Sequence, residues 1–277
     1  MKREFEFHQR VERSILTTYR KEIWKPFILA VKRYELIQEG DKIAVCISGG
    51  KDSMLLAKLM QELQRHSKVH FETVFLVMDP GYSEVNRRKI EENAALLNVP
   101  ITIFETDIFS VANGTDHNPC YLCARMRRGY LYSRARELGC NKIALGHHFN
   151  DVIETTVMAM FYGAQLQAML PKLHSSNFEG MELIRPMYCV HEEDIIRWKN
   201  AHGLEFLQCA CRFTESCMAS DGTGVSKRQE VKQLLRQLKR DNPDIEKSVF
   251  NSIHSVCLDT MPGWKTKGEE HSFLENY

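Results

Sequence analysis

The chain of 277 residues suits one large domain, or one domain with helical extensions. Apolar residues make up 43% and charged residues 26%, which excludes a disordered tail and a collagen-like repeat. Lysine plus arginine number 37 against 36 acidic residues, so a net charge of +1 supplies no global field to recruit a polyanion.

No stretch reaches the roughly 18 apolar residues of a membrane helix. Met1-Lys2-Arg3-Glu4-Phe5-Glu6 lacks the apolar core of a signal peptide. A cytoplasmic chain without membrane contact is therefore expected. In a reducing compartment, nine unevenly spaced cysteines read as thiols for metal or redox chemistry and not as a disulfide framework.

In chain order, residues 1–38 are charged and aromatic without turn signals, and predict one or two amphipathic helices. Lys42-Ile43-Ala44-Val45-Cys46-Ile47 is a nearly continuous apolar run, as in a strand buried on both faces. Thr73–Met78, Pro100–Phe104, Lys142–Leu145 and Met181–Arg185 read as further strands. Helices are expected at Ser83–Leu97, at Cys123–Leu138 (stopped by Gly139) and from about Asn150 to Tyr162. This alternation predicts an α/β fold: an open parallel sheet with helices on both faces, and helical extensions at both ends. The expected division is a helical extension over 1–38, a nucleotide-binding domain over 39–204 and a mainly helical region over 205–277.

The first strand runs into Ser48-Gly49-Gly50-Lys51-Asp52-Ser53, followed by an apolar stripe of Leu55, Leu56, Leu59, Met60 and Leu63 at helical spacing. A small-residue turn between a buried strand and a helix start presents outward N–H groups and the positive end of a dipole to an anion. Gly49 and Gly50 admit phosphate oxygens, Lys51 adds charge, and Asp52 calls for a divalent cation beside them. The loop thus predicts a nucleotide bound with Mg²⁺. It is not the common P-loop, because Asp52 follows Gly50-Lys51 and Val45 stands where that pattern needs glycine.

Two local charge patches and two cysteine pairs complete the pattern. Arg125, Arg127, Arg128, Arg134, Arg136 and Lys142 face one acid, Glu137, and Lys227, Arg228, Lys232, Arg236, Lys239 and Arg240 form a second basic stretch. Each is either a solvated helix face or a footprint on phosphates. Cys120-Tyr121-Leu122-Cys123 opens the arginine-rich helix, and Cys209-Ala210-Cys211 follows much later. Four thiolates make a structural zinc site, whereas three leave one iron of a [4Fe–4S] cluster open. Cys46, Cys140, Cys189 and Cys257 read as small core residues, Cys211 as an alternative ligand, and Cys211 or Cys217 as a persulfide relay.

The segment Ser48–Ser53 resembles the signature of the PP-loop ATP pyrophosphatases, a Rossmann-like α/β superfamily that splits ATP between its α- and β-phosphates. Further segments are similar to the tRNA 2-thiocytidine biosynthesis family. They are Glu39-Gly40-Asp41, Cys120-x-x-Cys123 with Arg125-x-Arg127-Arg128-Gly129, Ala144-Leu145-Gly146-His147-His148, Met160-Phe161-Tyr162-Gly163, Arg185-Pro186 and the late cysteine pair. The resemblance spans roughly residues 30–255.

It implies a cytoplasmic tRNA-cytidine sulfurtransferase that uses ATP, Mg²⁺ and a [4Fe–4S] cluster to thiolate cytidine 32 of the anticodon loop. Cys120, Cys123 and Cys209 are the implied cluster ligands. Lys51 would act on the phosphates, Asp52 and Asp151 on Mg²⁺, and Ser48, Gly49, Gly50, Ser53, Asp79, Gly146 and His147 on the nucleotide. Arg125, Arg127 and Arg128 would contact tRNA. His147 and His148 are either acid–base groups or structural residues at the strand end. A cysteine desulfurase or free sulfide would donate sulfur, and a homodimer is permitted. Two departures stand out: the late pair is Cys-x-Cys where the family has Cys-x-x-Cys, and Asn150-Asp151 stands where it has two aspartates. Competing readings are another AMP-forming PP-loop enzyme with a different substrate, and a zinc-stabilised RNA-binding module without catalysis.

Overall fold

The computed structural model describes residues 5–108, 119–207 and 226–277, and of 119–124 and 276 the backbone alone. These residues divide into two compact units, 1–152 with 169–226 and 153–168 with 227–277.

In the first unit, α1 (Phe7–Leu16) buries Val11 and Ile15, a π-turn (Arg20–Trp24) buries Ile23 and Trp24, and α2 (Lys25–Arg33) buries Phe27 and Ala30. Strands β1 (Lys42–Ile47), β2 (Glu72–Asp79), β3 (Ile101–Glu105), β4 (Lys142–Ala144), β5 (Lys172–His174) and β6 (Glu182–Ile184) form one sheet in the order β3-β2-β1-β4-β6-β5. Helices α3 (Lys51–His66), α4 (Glu84–Leu96), α5 (Pro119–Glu137), α6 (Phe149–Gly163) and α7 (Glu192–Ala201) complete the alternation.

The period of two along β1 sorts its side chains onto two cores. Ile43, Val45 and Ile47 join the cluster that contains Met54, Leu55 and Leu59 of α3 and Phe27 of α2. Ala44 and Cys46 face the opposite cluster with Tyr132 and Ala135 of α5. Helices therefore cover both faces, as expected. The sheet is not wholly parallel, however: β5 pairs antiparallel with β6, Leu173 opposite Leu183. The two form an edge hairpin turned at Ser175–Met181, and a three-residue strand is too short to show a period.

α5 begins at Pro119, earlier than expected, so Cys120 and Cys123 lie within its first two turns. Proline suits a first helical position, where its missing N–H is not needed. Gly139 (φ +75°) ends the helix, with Cys140 N–H bonding Ala135 C=O.

At the amino edge of the sheet, Asp41 accepts from Lys142 Nζ (2.8 Å), Asn141 Nδ2 (2.8 Å) and the Gln38 N–H (2.7 Å). The segment Glu39-Gly40-Asp41 thus clamps β1 to β4 on the edge remote from the glycine loop. α1 is pinned to α3 by Glu12, which accepts from the fully buried Lys58 at 2.6 Å and from Arg65 at 2.8 Å.

The second unit holds α6 from Ile153 onward, α8 (Lys227–Asp241), α9 (Ile245–Ser252) and an antiparallel hairpin, β7 (Gly263–Thr266) with β8 (Glu269–Ser272). The hairpin is a feature that the expectation of a mainly helical end did not include. Lys267 and Gly268 both have positive φ, as a two-residue type I′ turn requires. Cys257 is exposed, so it is not a core residue; Cys46 and Cys140 are buried. Among the described residues no helix is long and apolar enough to cross a membrane.

Candidate active site

The chain order places a switch point at β1. After β1 it moves outward through β2 and β3, then returns to β4 on the other side of β1. Ligands of open α/β sheets bind at the carboxyl ends of strands where such a reversal occurs. The loop 48–50 leaves β1 there, and 145–148 leaves β4 beside it.

The glycine loop is shaped by two tight approaches. Gly49 has φ +82°, and a Cβ there would lie 2.6 Å from Ile90 Cγ1. A Cβ on Gly146 would lie 3.1 Å from the Ser53 nitrogen, so the two loops touch backbone to backbone. Ser53 Oγ accepts from the Ser48 N–H (3.1 Å) and donates to the Gly50 carbonyl (3.0 Å), bracing the turn from within. Gly50 precedes the helix, and the first intrahelical bond runs from Met54 N–H to its carbonyl. The N–H groups of Lys51, Asp52 and Ser53 have no intrahelical acceptor, the usual basis of an anion site at a helix start.

Lys51 Nζ lies 3.1 Å from Asp52 Oδ2 and 3.2 Å from Glu192 Oε1. Burial works against its charge, but Asp52 and Glu192 outweigh that and hold its pKa above the ordinary lysine value. No sequence signal marks Glu192; it is one of three consecutive acids at the start of α7, and only folding distinguishes it. Its N–H donates to Asn150 Oδ1 at 3.0 Å. Asn150 therefore caps α7 where the family pattern has a carboxylate.

His148 is buried between Asp52 and Asp151. Its Nε2 lies 3.8 Å from Asp52 Oδ1, its Nδ1 3.5 Å from Asp151 Oδ2, and its backbone N–H donates to Asp151 Oδ2 at 3.0 Å. The buried Oδ1 of Asp52 has no hydrogen-bond donor. A carboxylate oxygen left in that state fits a divalent cation, as do the hard oxygen donors beside it. His147 accepts from Arg185 Nε at 3.3 Å on Nδ1, which leaves Nε2 to carry the ring proton. Burial pushes the pKa of Arg185 down to about 10.

Asp79 reaches the same edge at the end of β2, but its Oδ1 accepts the N–H groups of Gly81 (2.9 Å) and Tyr82 (2.7 Å), and Arg87 faces Oδ2 at 3.4 Å. Its carboxylate shapes the β2–α4 turn. The structure thus brings Ser48, Gly49, Gly50, Lys51, Asp52, Ser53, Asp79, Gly146, His147 and Asp151 to one edge.

α5 runs back from that edge to the start of β4, so its opening turns, with the backbone of Cys120 and Cys123, lie at the carboxyl edge too. Arg125 and Arg128 are exposed on α5 and Arg127 is half-buried. Cys209, Cys211 and Cys217 lie outside the described residues.

Comparison with known proteins agrees with this geometry. The model of a PP-loop domain family matches residues 12–211. A tRNA-cytidine(32) 2-sulfurtransferase of Citrifermentans bemidjiense is 35% identical over 231 residues, covering 82% of this chain and 87% of the relative. One from Cellvibrio japonicus is 36% identical over 256 residues, covering 90% and 80%. Among solved structures, the U34-tRNA thiolase NcsA from Methanococcus maripaludis, with its [4Fe–4S] cluster, superposes with a TM-score of 0.65 at 19% identity. That match covers 87% of this chain and 80% of the thiolase and shows a shared fold.

Proposed function

This chain belongs to the PP-loop family of tRNA-cytidine(32) 2-sulfurtransferases, and on that footing we propose that it makes 2-thiocytidine at tRNA position 32 at the expense of ATP. The observation that carries the reading is the meeting of the Gly49–Ser53 loop with Gly146–Asp151 at one sheet edge, Lys51 and three carboxylates around them.

The C2 oxygen of cytidine is a poor leaving group. In the proposed reaction that oxygen attacks the α-phosphorus of ATP, and the bond to the β-phosphate oxygen breaks to release pyrophosphate. Sulfide, free or released when a thiol reduces a desulfurase persulfide and is itself oxidised to a disulfide, then attacks C2, and AMP leaves with the oxygen. The N–H groups of Lys51–Ser53 would bind phosphate oxygens, Ser48 and Ser53 keep the loop in shape, and Lys51 would stabilise the charge that develops on pyrophosphate. Asp52 and Asp151 would hold Mg²⁺, which supplies Lewis-acid stabilisation of the phosphates. The Asp79 turn would border the adenosine, and His147, through Nε2–H, would donate a hydrogen bond and not act as a base.

Cys120, Cys123 and Cys209 would hold a [4Fe–4S] cluster, whose open iron supplies a site for sulfur delivery. Arg125, Arg127 and Arg128 would meet tRNA phosphates beside it. The cytidine must leave its stack to enter such a pocket.

The test is pyrophosphate release by the anaerobically purified protein with and without tRNA. Release that depends on tRNA supports an enzyme acting on RNA. Binding of tRNA without any release contradicts it.

A further inference from the structure

Glu192 takes no part in the adenylation or sulfide steps, and a role for it rests on the assignment of Lys51 to the phosphates. Three helices begin at the carboxyl edge: α3 at Lys51, α6 at Phe149 and α7 at Glu192. Asn150 of α6 accepts the Glu192 N–H at 3.0 Å, and Glu192 Oε1 accepts from Lys51 Nζ at 3.2 Å. The three starts are thereby joined in one chain of contacts.

Lys51 carries its ammonium on a flexible four-carbon stem. Asp52, the next residue on the same helix, restrains it at one point, 3.1 Å away. A second restraint from a different element is needed to fix the direction of the stem. Glu192 meets that need: its side chain is only 15% exposed, and its backbone is anchored by Asn150.

We propose that Glu192 is a positioning residue that aims the Lys51 ammonium across the glycine loop, and that Asn150 sets its place. Phosphate oxygens of incoming ATP compete with Glu192 for the ammonium. Glu192 therefore opposes ground-state binding while it sets the geometry needed as the leaving pyrophosphate gains charge. Its loss should lower kcat without raising KM, the opposite of a damaged binding site.

The experiment compares pyrophosphate release by the iron-loaded full chain with ATP, Mg²⁺ and tRNA, together with ATP affinity by calorimetry. Glu192→Gln should lower kcat at least about tenfold, with KM for ATP unchanged or lower and ATP bound at least as tightly. Glu192→Asp should recover part of kcat. Glu193→Gln, which removes the same charge from the same turn, should do neither. In a Lys51→Ala background, Glu192→Gln should leave ATP affinity unaltered, because there is no ammonium left to compete for. Full activity in Glu192→Gln, a raised KM with unchanged kcat, weaker ATP binding, or an equal loss in Glu193→Gln overturns the proposal. Full activity in Lys51→Ala overturns instead the assignment of Lys51 on which it stands.

Discussion

His148 Nε2 lies 3.8 Å from Asp52 Oδ1, while the backbone N–H of the same histidine donates to Asp151 Oδ2 at 3.0 Å. One buried residue thus spaces two carboxylates that leave different loops. Its ring makes no hydrogen bond to either carboxylate and separates them by packing, which makes His148 a buried spacer and not a group exposed to substrate.

Groups that orient metal-binding carboxylates typically contribute about 10–100-fold to metal affinity. His148→Ala keeps the N–H donor to Asp151 and removes only the ring that spaces the carboxylates, so it should weaken Mn²⁺ binding in the ATP complex by about tenfold, the low end of that range, as read by electron paramagnetic resonance. Unchanged Mn²⁺ affinity in the folded variant would remove His148 from the site.

Gly49→Ala combines a side chain at φ +82° with a contact of 2.6 Å to Ile90 Cγ1. Backbone strain of this kind costs about 1–3 kcal/mol, so thermal unfolding should move to lower temperature and ATP binding should fail. Trimming the neighbour in Gly49→Ala/Ile90→Ala should not restore ATP binding, because the positive φ remains. Restoration would show that the contact alone mattered.

The Glu12–Lys58 pair tests the attachment of α1 to α3. Burial raises the pKa of Glu12, but hydrogen bonds from Arg65 and Lys58 outweigh it and hold the carboxyl below its ordinary value. Burial draws Lys58 down in turn, against the pull of the Glu12 carboxylate. The stability from Glu12 is present above its unfolded pKa of about 4.3 and is lost as pH falls through the lower folded value. Glu12→Ala should cost about 3–5 kcal/mol at neutral pH, because it strands a buried ammonium. Denaturant unfolding of Glu12→Ala and Glu12→Leu/Lys58→Met should show the double variant recovering most of the loss. An equally unstable double variant would mean that packing, and not the stranded charge, sets the cost.

The arginines of α5 give a test by salt. Each phosphate contact contributes about 0.7–0.9 to the slope of log affinity against log salt. Arg125→Ala/Arg128→Ala should flatten that slope for tRNA by about 1.4–1.8. An unchanged slope would make α5 an ordinary solvated surface.

Much of this site is legible in the sequence because its parts are local. Ser48–Ser53 is contiguous, and its meaning follows from a buried strand running into a helix. Gly146–Asp151 is contiguous as well and ends the neighbouring strand. Whatever only the fold joins escapes such a reading. Glu192 stands 141 residues from Lys51 and beside two other acids, so no spacing marks it. Asn150 is legible as a departure, but its role as the cap of α7 depends on where α7 begins. The position of Asp79 points to the nucleotide, whereas its own turn engages the carboxylate through Gly81 and Tyr82. In the fold, β5 is hidden because Lys172–His174 is too short to show a period, and the Thr266–Glu269 turn because Lys-Gly is a weaker signal than Asn-Gly.

Thiolation itself is open to direct measurement: the iron-loaded protein is incubated with ATP, Mg²⁺, sulfide and unmodified tRNA, and the nucleosides are analysed by mass spectrometry. The expected result is one 2-thiocytidine per tRNA, at position 32, with one pyrophosphate and one AMP released for each, and none of these with Lys51→Ala. A thiolated uridine instead, or 2-thiocytidine formed without pyrophosphate release, would contradict the proposed reaction.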